Sequence, residues 1–173
     1  MKLPDIDIDL KNREGLAVAK DLAGRCDIFI EGVRPGICAK FGLAYDDVCQ
    51  FNSGIIYLSV SGFGQKGPYA SRPATDTILQ SFSGLMSINR GQDGIPHRVG
   101  HYIVDCVTAL YAFQALSSAL YAKQKQSEGR FIDCSLMQAA AALQTSCIAD
   151  YHLQGGIPAV SYTHLTLPTI LLV

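Results

Sequence analysis

The chain has 173 residues, 49% hydrophobic and 17% charged, with 14 Lys and Arg against 15 Asp and Glu. That is enough chain for one domain with a real core, and too apolar for a disordered segment. The cations are scattered singly, without the basic patch or interleaved aromatics of a nucleic-acid binder. Asp105, Thr108, Gln114, Ser117 and Ser118 interrupt the most apolar stretch, so no uninterrupted run of about 18 apolar residues suggests a membrane span. The N-terminal MKLPDIDIDLK is acidic and alternating, unlike a signal peptide, which makes the cytoplasm the expected compartment.

In chain order, residues 6–10 (IDIDL) alternate and predict a short strand. Asn12 then caps a helix with Glu14 in its first turn and Leu16, Ala19, Leu22 and Ala23 on the buried side. Residues 27–31 (DIFIE) predict a second strand. The following GVRPG turn puts Pro35 at a first helical position, ahead of a short helix to Phe41. Another short helix covers 45–51. Residues 55–60 (IIYLSV) predict a third strand, apolar enough to be covered on both faces. Strands alternating with helices at this spacing predict βαβ units and a parallel sheet.

A loop rich in Gly and Pro follows, containing a literal GxGxxG at Gly62, Gly64 and Gly67. A dinucleotide fingerprint needs a helix to open at its third glycine and follows the first strand. Here Pro68 and more turn residues come next, so the motif is not read as a nicotinamide site. Glycines beyond the carboxyl end of a parallel strand still mark where ligands lie.

A helix over 76–85 is expected, entered from Thr75, then a polar turn region over 89–100. Residues 100–125 predict one long helix, with Ile103, Val107, Leu110, Tyr111, Phe113, Leu116, Ala119 and Leu120 at buried-face spacing. Asp105 is its only charge before Lys123. A carboxylate in so apolar a segment is costly to desolvate unless it is paired or used. It is either an acid favoured by the helix dipole or a functional group. Cys106 beside it lacks a local base in the sequence pattern, and adjacent helical residues point about 100° apart. The six cysteines (Cys26, Cys38, Cys49, Cys106, Cys134 and Cys147) show no CxxC, so reduced core thiols are expected rather than a metal or redox site.

Ser127-Glu128-Gly129 breaks the long helix, 130–134 (RFIDC) predicts a strand, and 135–153 predicts an Ala-rich helix ended by Gly155-Gly156. The last stretch, 161–173, ends on an apolar ILLV with nothing to pair against. It is expected to be foreign to a domain that occupies 1–156, within a tail of 157–173.

Five motifs in register carry a family resemblance: IDLKNREG, EGVRPGICAKFGL, IIYLSVSGFGQKGPY, ATDTILQSFSGLM and SEGRFIDCSLMQA. Together they resemble the class III coenzyme A transferases, the CaiB/BaiF or formyl-CoA transferase family. The resemblance implies an α/β fold, a Rossmann-like parallel sheet with flanking helices. The chain would be a fragment of the large domain of an interlocked homodimer, lacking the first βα segment and the small domain. It implies that Asp105 is a covalent nucleophile, forming an acyl-aspartyl anhydride and then an aspartyl-CoA thioester. It also implies that Asp9, Lys11, Gly32, Val33, Arg34, Lys40, Arg72 and Thr75 line a CoA site, with Lys40 where relatives often carry Arg. No metal or cofactor is expected; the CoA thioester and a carboxylic acid are the substrates, with no nucleic-acid or membrane partner.

The racemase branch of the same fold places a histidine immediately before the aspartate of the 75–76 dipeptide, because proton exchange needs two bases. Here that position is Thr75, which favours transferase, although His97 and His101 lie nearby in sequence. A non-catalytic fragment supplying only fold or dimer contacts is the remaining alternative.

Overall fold

The computed structural model describes residues 5–155; the terminal stretch read as foreign lies outside them. Its centre is a three-stranded parallel sheet in the order β1 (Ile28–Glu31), β2 (Ile56–Ser61), β3 (Arg130–Ser135). Ile28 pairs with Ile56, and Ile56 with Arg130. The central strand is buried from Ile55 to Ser59, as expected for a strand covered on both sides.

Before the sheet, α1 (Arg13–Arg25) starts where the sequence predicts, with the Asn12 side chain accepting from the Glu14 amide at 2.9 Å. Residues 6–10 form no strand. Asp9 instead makes a local turn, its carbonyl accepting from Asn12 N and its Oδ1 from Lys11 N. Such a side-chain turn competes with strand pairing, and Ile6 stays exposed. Between β1 and β2 lie α2 (Ile37–Lys40) and α3 (Tyr45–Phe51). Pro35 falls in the turn ahead of α2, because Gly36 follows it at φ 83°, a left-handed conformation that a proline cannot adopt.

From β2 to β3 the chain runs through α4 (Asp76–Phe82), α5 (Leu85–Ile88) and α6 (Ile103–Gln126). The predicted 76–85 helix is divided by Gly84 at φ 85°. After β3, α7 (Leu136–Leu143) opens with a reciprocal cap between Ser135 and Gln138. The predicted long helix breaks at Gln144, whose side-chain amide donates to the Ala140 and Ser83 carbonyls, and continues as α8 (Thr145–Gln154).

Side-chain alternation sends Phe29, Tyr57 and Phe131 to one face, where Phe29 and Tyr57 stack with centroids 4.8 Å apart. Ala23, Leu43 and Val48 pack there with Ile55 and Tyr57. On the other face lies α6, and its buried stripe differs from the expected one. Val104, Thr108, Ala112 and Ala119 are buried, whereas Leu110 and Phe113 are 62% and 69% exposed. Small side chains let α6 lie close to the sheet, so the large ones turn outward. Thr108 hides its hydroxyl on the Val104 carbonyl at 2.7 Å, and Ser117 does so on that of Phe113, which lessens their effect as polar interruptions. By length and composition α6 could therefore cross a membrane; here it lies along β2 and β3 and against α4 and α7.

Candidate active site

In a parallel sheet, the carboxyl ends of the strands and the amino ends of the crossover helices meet at one edge, where ligands collect. Both clefts relevant to function open there, on opposite faces of the sheet. The α6-side cleft, about 420 Å³, is lined by Ile30, Leu58, Val60, Thr108 and Phe113, with Asp105 among them. Asp105 occupies the first turn of α6, whose preceding residue, Tyr102, supplies no side-chain cap.

The cap comes from another helix. Asp76, only 2% exposed, reaches from the start of α4 so that its Oδ2 accepts from Val104 N at 2.8 Å and Asp105 N at 3.1 Å. Its Oδ1 accepts from Gln80 Nε2 at 2.6 Å. Gln80, fully buried, also donates to the His101 carbonyl and accepts from Val99 N at 2.8 Å. One turn of α4 thus ties down both the end of the polar loop and the start of α6. The apolar cleft wall withdraws solvent from Asp105 and, second to that, the Asp76 carboxylate repels its charge; both push the Asp105 carboxyl above its ordinary range.

The glycine-rich loop brings α4 into place. Gly62 faces Ala74 so closely that a Cβ on it would overlap the Ala74 methyl, so glycine is required there. Phe82 then packs edge to face on both Phe63 and Tyr69, with Tyr69 and Phe82 centroids 5.0 Å apart, pinning the loop to α4. α4 does not begin until Asp76, well beyond Gly67. Arg72 stacks over the Tyr69 ring at 4.7 Å, and Thr75 caps α4 through Ile78 N.

The second cleft, about 380 Å³, lies on the face of α2 and α3 and includes Glu31, Arg34, Tyr57, Ser59, Gln65 and Lys66. Glu31 and Ser59 line it from neighbouring strands, and the same register row continues to Asp133. Ser59 Oγ donates to Glu31, Gln65 Nε2 donates to Ser59 Oγ, and Gln65 N donates to Asp133 Oδ2 at 2.9 Å. Glu31 also accepts from Val33 N at 2.9 Å, which orders the Gly32-Val33-Arg34 turn. The Tyr57 hydroxyl, buried and bonded to the Leu43 carbonyl, is pushed far above its usual range, chiefly by burial.

Of the residues expected at the site, the structure places Arg34 in this second cleft and Asp105 in the first. Gly32 and Val33 form the turn beside Arg34, and Arg72 and Thr75 lie on the loop leading into α4. Lys40 is exposed in the last turn of α2, outside the linings of both clefts; Asp9 and Lys11 are exposed ahead of α1, also outside them. Sequence reasoning missed Asp76 and Gln80, whose spacing of one helical turn behind the Thr75 cap was the available signal. It also missed Glu31 and Lys66, which share a cleft because strand register sets Glu31 beside Ser59 and the loop after β2 brings Lys66 over them. The reading of Cys106 as a thiol without a local base is corrected: His101 Nε2 lies 3.3 Å from its Sγ, brought there by the turn that precedes α6.

Comparison with known proteins agrees with this architecture. Residues 4–170 match the family model described as CoA-transferase family III. The chain is 37% identical over 146 residues to succinyl-CoA:glutarate CoA-transferase of Mus musculus, covering 84% of this chain and 34% of that protein. It is 34% identical over 153 residues to acetyl-CoA:oxalate CoA-transferase of Acetobacter aceti, covering 88% of this chain and 39% of the relative. A crystal structure of a CaiB/BaiF family protein from Brucella suis superposes with a TM-score of 0.84 at 30% identity, over 87% of this chain and 40% of that one. The chain thus spans between a third and two fifths of the length of these relatives. With its sheet, its crossover helices and the motifs of its loops accounted for, the chain belongs to CoA-transferase family III.

Proposed function

We propose that the chain carries the nucleophile-bearing part of an enzyme that moves coenzyme A from an acyl-CoA donor to a carboxylic acid. The observation that carries this reading is the placement of Asp105: a carboxyl in the first turn of α6, on an apolar cleft at the carboxyl edge of the sheet, with its affinity for a proton raised. A more basic carboxylate is the stronger nucleophile once ionised.

In the proposed sequence, the Asp105 carboxylate attacks the thioester carbonyl, the C–S bond breaks, and a mixed anhydride and CoA thiolate result. The thiolate attacks the Asp105 carbonyl of the anhydride, releasing the donor acid and leaving an aspartyl-CoA thioester. The acceptor carboxylate attacks that thioester, giving a second anhydride and thiolate, and the thiolate removes the new acyl group as its CoA thioester, restoring Asp105. Charge is conserved at each exchange, and the steps as written use no further group. The cations Arg34 and Lys66 in the second cleft are suited to the phosphates of CoA, and Arg72 on the loop into α4 and Lys40 in the last turn of α2 are further cations proposed for them. Gly32, Val33, Thr75, Asp9 and Lys11 complete the proposed CoA surface. The relatives named above act on succinyl-CoA and glutarate or on acetyl-CoA and oxalate, which supports short carboxylic acids as substrates. Exposed Leu110, Phe113 and Tyr121 on α6 support burial of this face within an interlocked homodimer of the full-length protein.

The test is intact-protein mass spectrometry of the full-length protein carrying this sequence, incubated with succinyl-, acetyl- and formyl-CoA and quenched with hydroxylamine. A hydroxamate at Asp105 is expected, and none in Asp105→Ala. CoA binding without any adduct overturns the assignment, and α-deuterium exchange without an acceptor acid would then identify racemase chemistry.

A further inference from the structure

Asp105 cannot place itself. It sits on the first turn of a helix whose leading amides lack a local cap, and in such a turn the amides not bonded within the helix need an outside acceptor. Among the described residues, the side-chain acceptor for two of those amides is Asp76, and one of the two is the amide of Asp105 itself. A carboxylate is well suited to the positive end of a helix, and its bonds to amides are charge-assisted. Burial makes the arrangement stringent, since a buried carboxylate left with an open acceptor is costly. Gln80 prevents that: it donates to the other Asp76 oxygen while its own oxygen is held by Val99 N. The side chain of Asp76 is therefore fixed at both oxygens, and with it the rotation and depth of the first turn of α6.

We propose that Asp76, oriented by Gln80, is the positioning residue for Asp105: it sets the nucleophile's backbone against the cleft. Its charge, second to burial, also acts on the Asp105 carboxyl. This rests on the reading of Asp105 as the nucleophile. Among the described residues packed against α6, no other carboxylate faces Asp105. α7 carries no titratable side chain, Asp133 of β3 lies on the opposite face of the sheet, and Cys134 meets the Thr108 carbonyl. His101, on the loop, meets Cys106.

The experiment compares Asp76→Ala, Asp76→Asn and Asp105→Asn in the full-length protein, measuring kcat, donor KM and the pH profile of CoA transfer. Asp76→Ala removes the cap; a nucleophile displaced by about an ångström loses roughly 10²-fold in kcat, with donor KM nearly unchanged. Asp76→Asn keeps a carbonyl oxygen for the two amides but removes the charge and sets its amide nitrogen against Gln80 Nε2, a fellow donor. Its kcat falls less, and the acid limb of its profile moves part of the way to lower pH, because the Asp76 repulsion is gone while the burial that raises the Asp105 carboxyl remains. A purely structural cap would leave that limb in place. Folded Asp76→Asn with an unmoved acid limb and wild-type kcat overturns the inference, and it decides the matter even if Asp76→Ala does not fold. Full activity in Asp105→Asn overturns instead the reading on which the inference rests.

Discussion

On the face under α1 and α3, Phe29 stacks on Tyr57 and Phe131 packs tilted against it, linking all three strands, and Ala23, Leu43 and Val48 pack with Tyr57 and Ile55. On the face under α6, Ile30, Leu58 and Val60 instead look into an apolar cleft of about 420 Å³ bordered by Thr108, Ala112 and Phe113. The first face is packed beneath α1 and α3 but opens beside them into the polar cleft of Glu31 and Ser59, whereas the second opens over mainly apolar side chains. In-register aromatics make the first a rigid platform, because stacked rings bury large areas in fixed geometry. The second face is left open between the strands and α6, and Asp105 lines that cleft. The strands are shared, so stiffness gained on one side holds the cleft open on the other.

The largest expected effect tests the platform. Tyr57→Ala removes a buried ring and a hydroxyl bonded to the Leu43 carbonyl, and should destabilise by about 3–5 kcal/mol in urea unfolding. Tyr57→Phe, which keeps the stack, should lose only about 1 kcal/mol. Near-equal losses would mean that the hydroxyl, and not the stack, stiffens the sheet.

An intermediate effect is expected where the platform hands over to the site. In Gly62→Ala the added methyl meets that of Ala74, and overpacking of this kind costs about 1–3 kcal/mol. Because Ala74 leads into Asp76, transfer activity should fall as well. Adding Ala74→Gly should recover most of both losses; no recovery would place the strain elsewhere in the loop.

The smallest effect has the most diagnostic sign. The Asp105 carboxyl titrates higher in the folded chain than in the unfolded one, so the folded state holds this proton more tightly. Its favourable contribution is complete below the unfolded value and is lost as pH rises through the raised folded value. Asp105→Asn should therefore raise Tm slightly at pH 7, and the gain should shrink toward the usual aspartate value of about 3.9. A lower Tm at pH 7 would mark Asp105 as a stabilising helix-start acid and weaken the contrast between the two faces.

Local rules made much of this legible in advance. Asn12, Thr75 and Ser135 cap helices through their own side chains, so the starts of α1, α4 and α7 follow from sequence. The continuous apolar run at 55–60 announces a central strand for the same kind of reason. Asp105 stood out because a lone charge in an apolar helix requires an explanation. What the pattern hid was set at long range. Whether Leu110 or Ala112 faces the sheet depends on how closely α6 approaches β2 and β3, which hydrophobicity alone does not encode. Glu31, Ser59 and Asp133 become neighbours only through strand register, and the bond from Asp76 to Asp105 crosses between two helices.

The parallel pairing of β2 with β3 has a consequence for the order in which the protein assembles. Asp76 and Asp105 both belong to the long crossover that leaves at Ser61 and returns at Arg130. Pairing Ile56 with Arg130 closes that whole excursion at once, a contact reached only after a large loss of chain entropy. A chain emerging from the ribosome can form α1, β1 and β2 early, yet Asp105 has no fixed address until the segment around Phe131 has been made. Slow synthesis or a mutation in that stretch would thus delay the appearance of activity more than the appearance of helix.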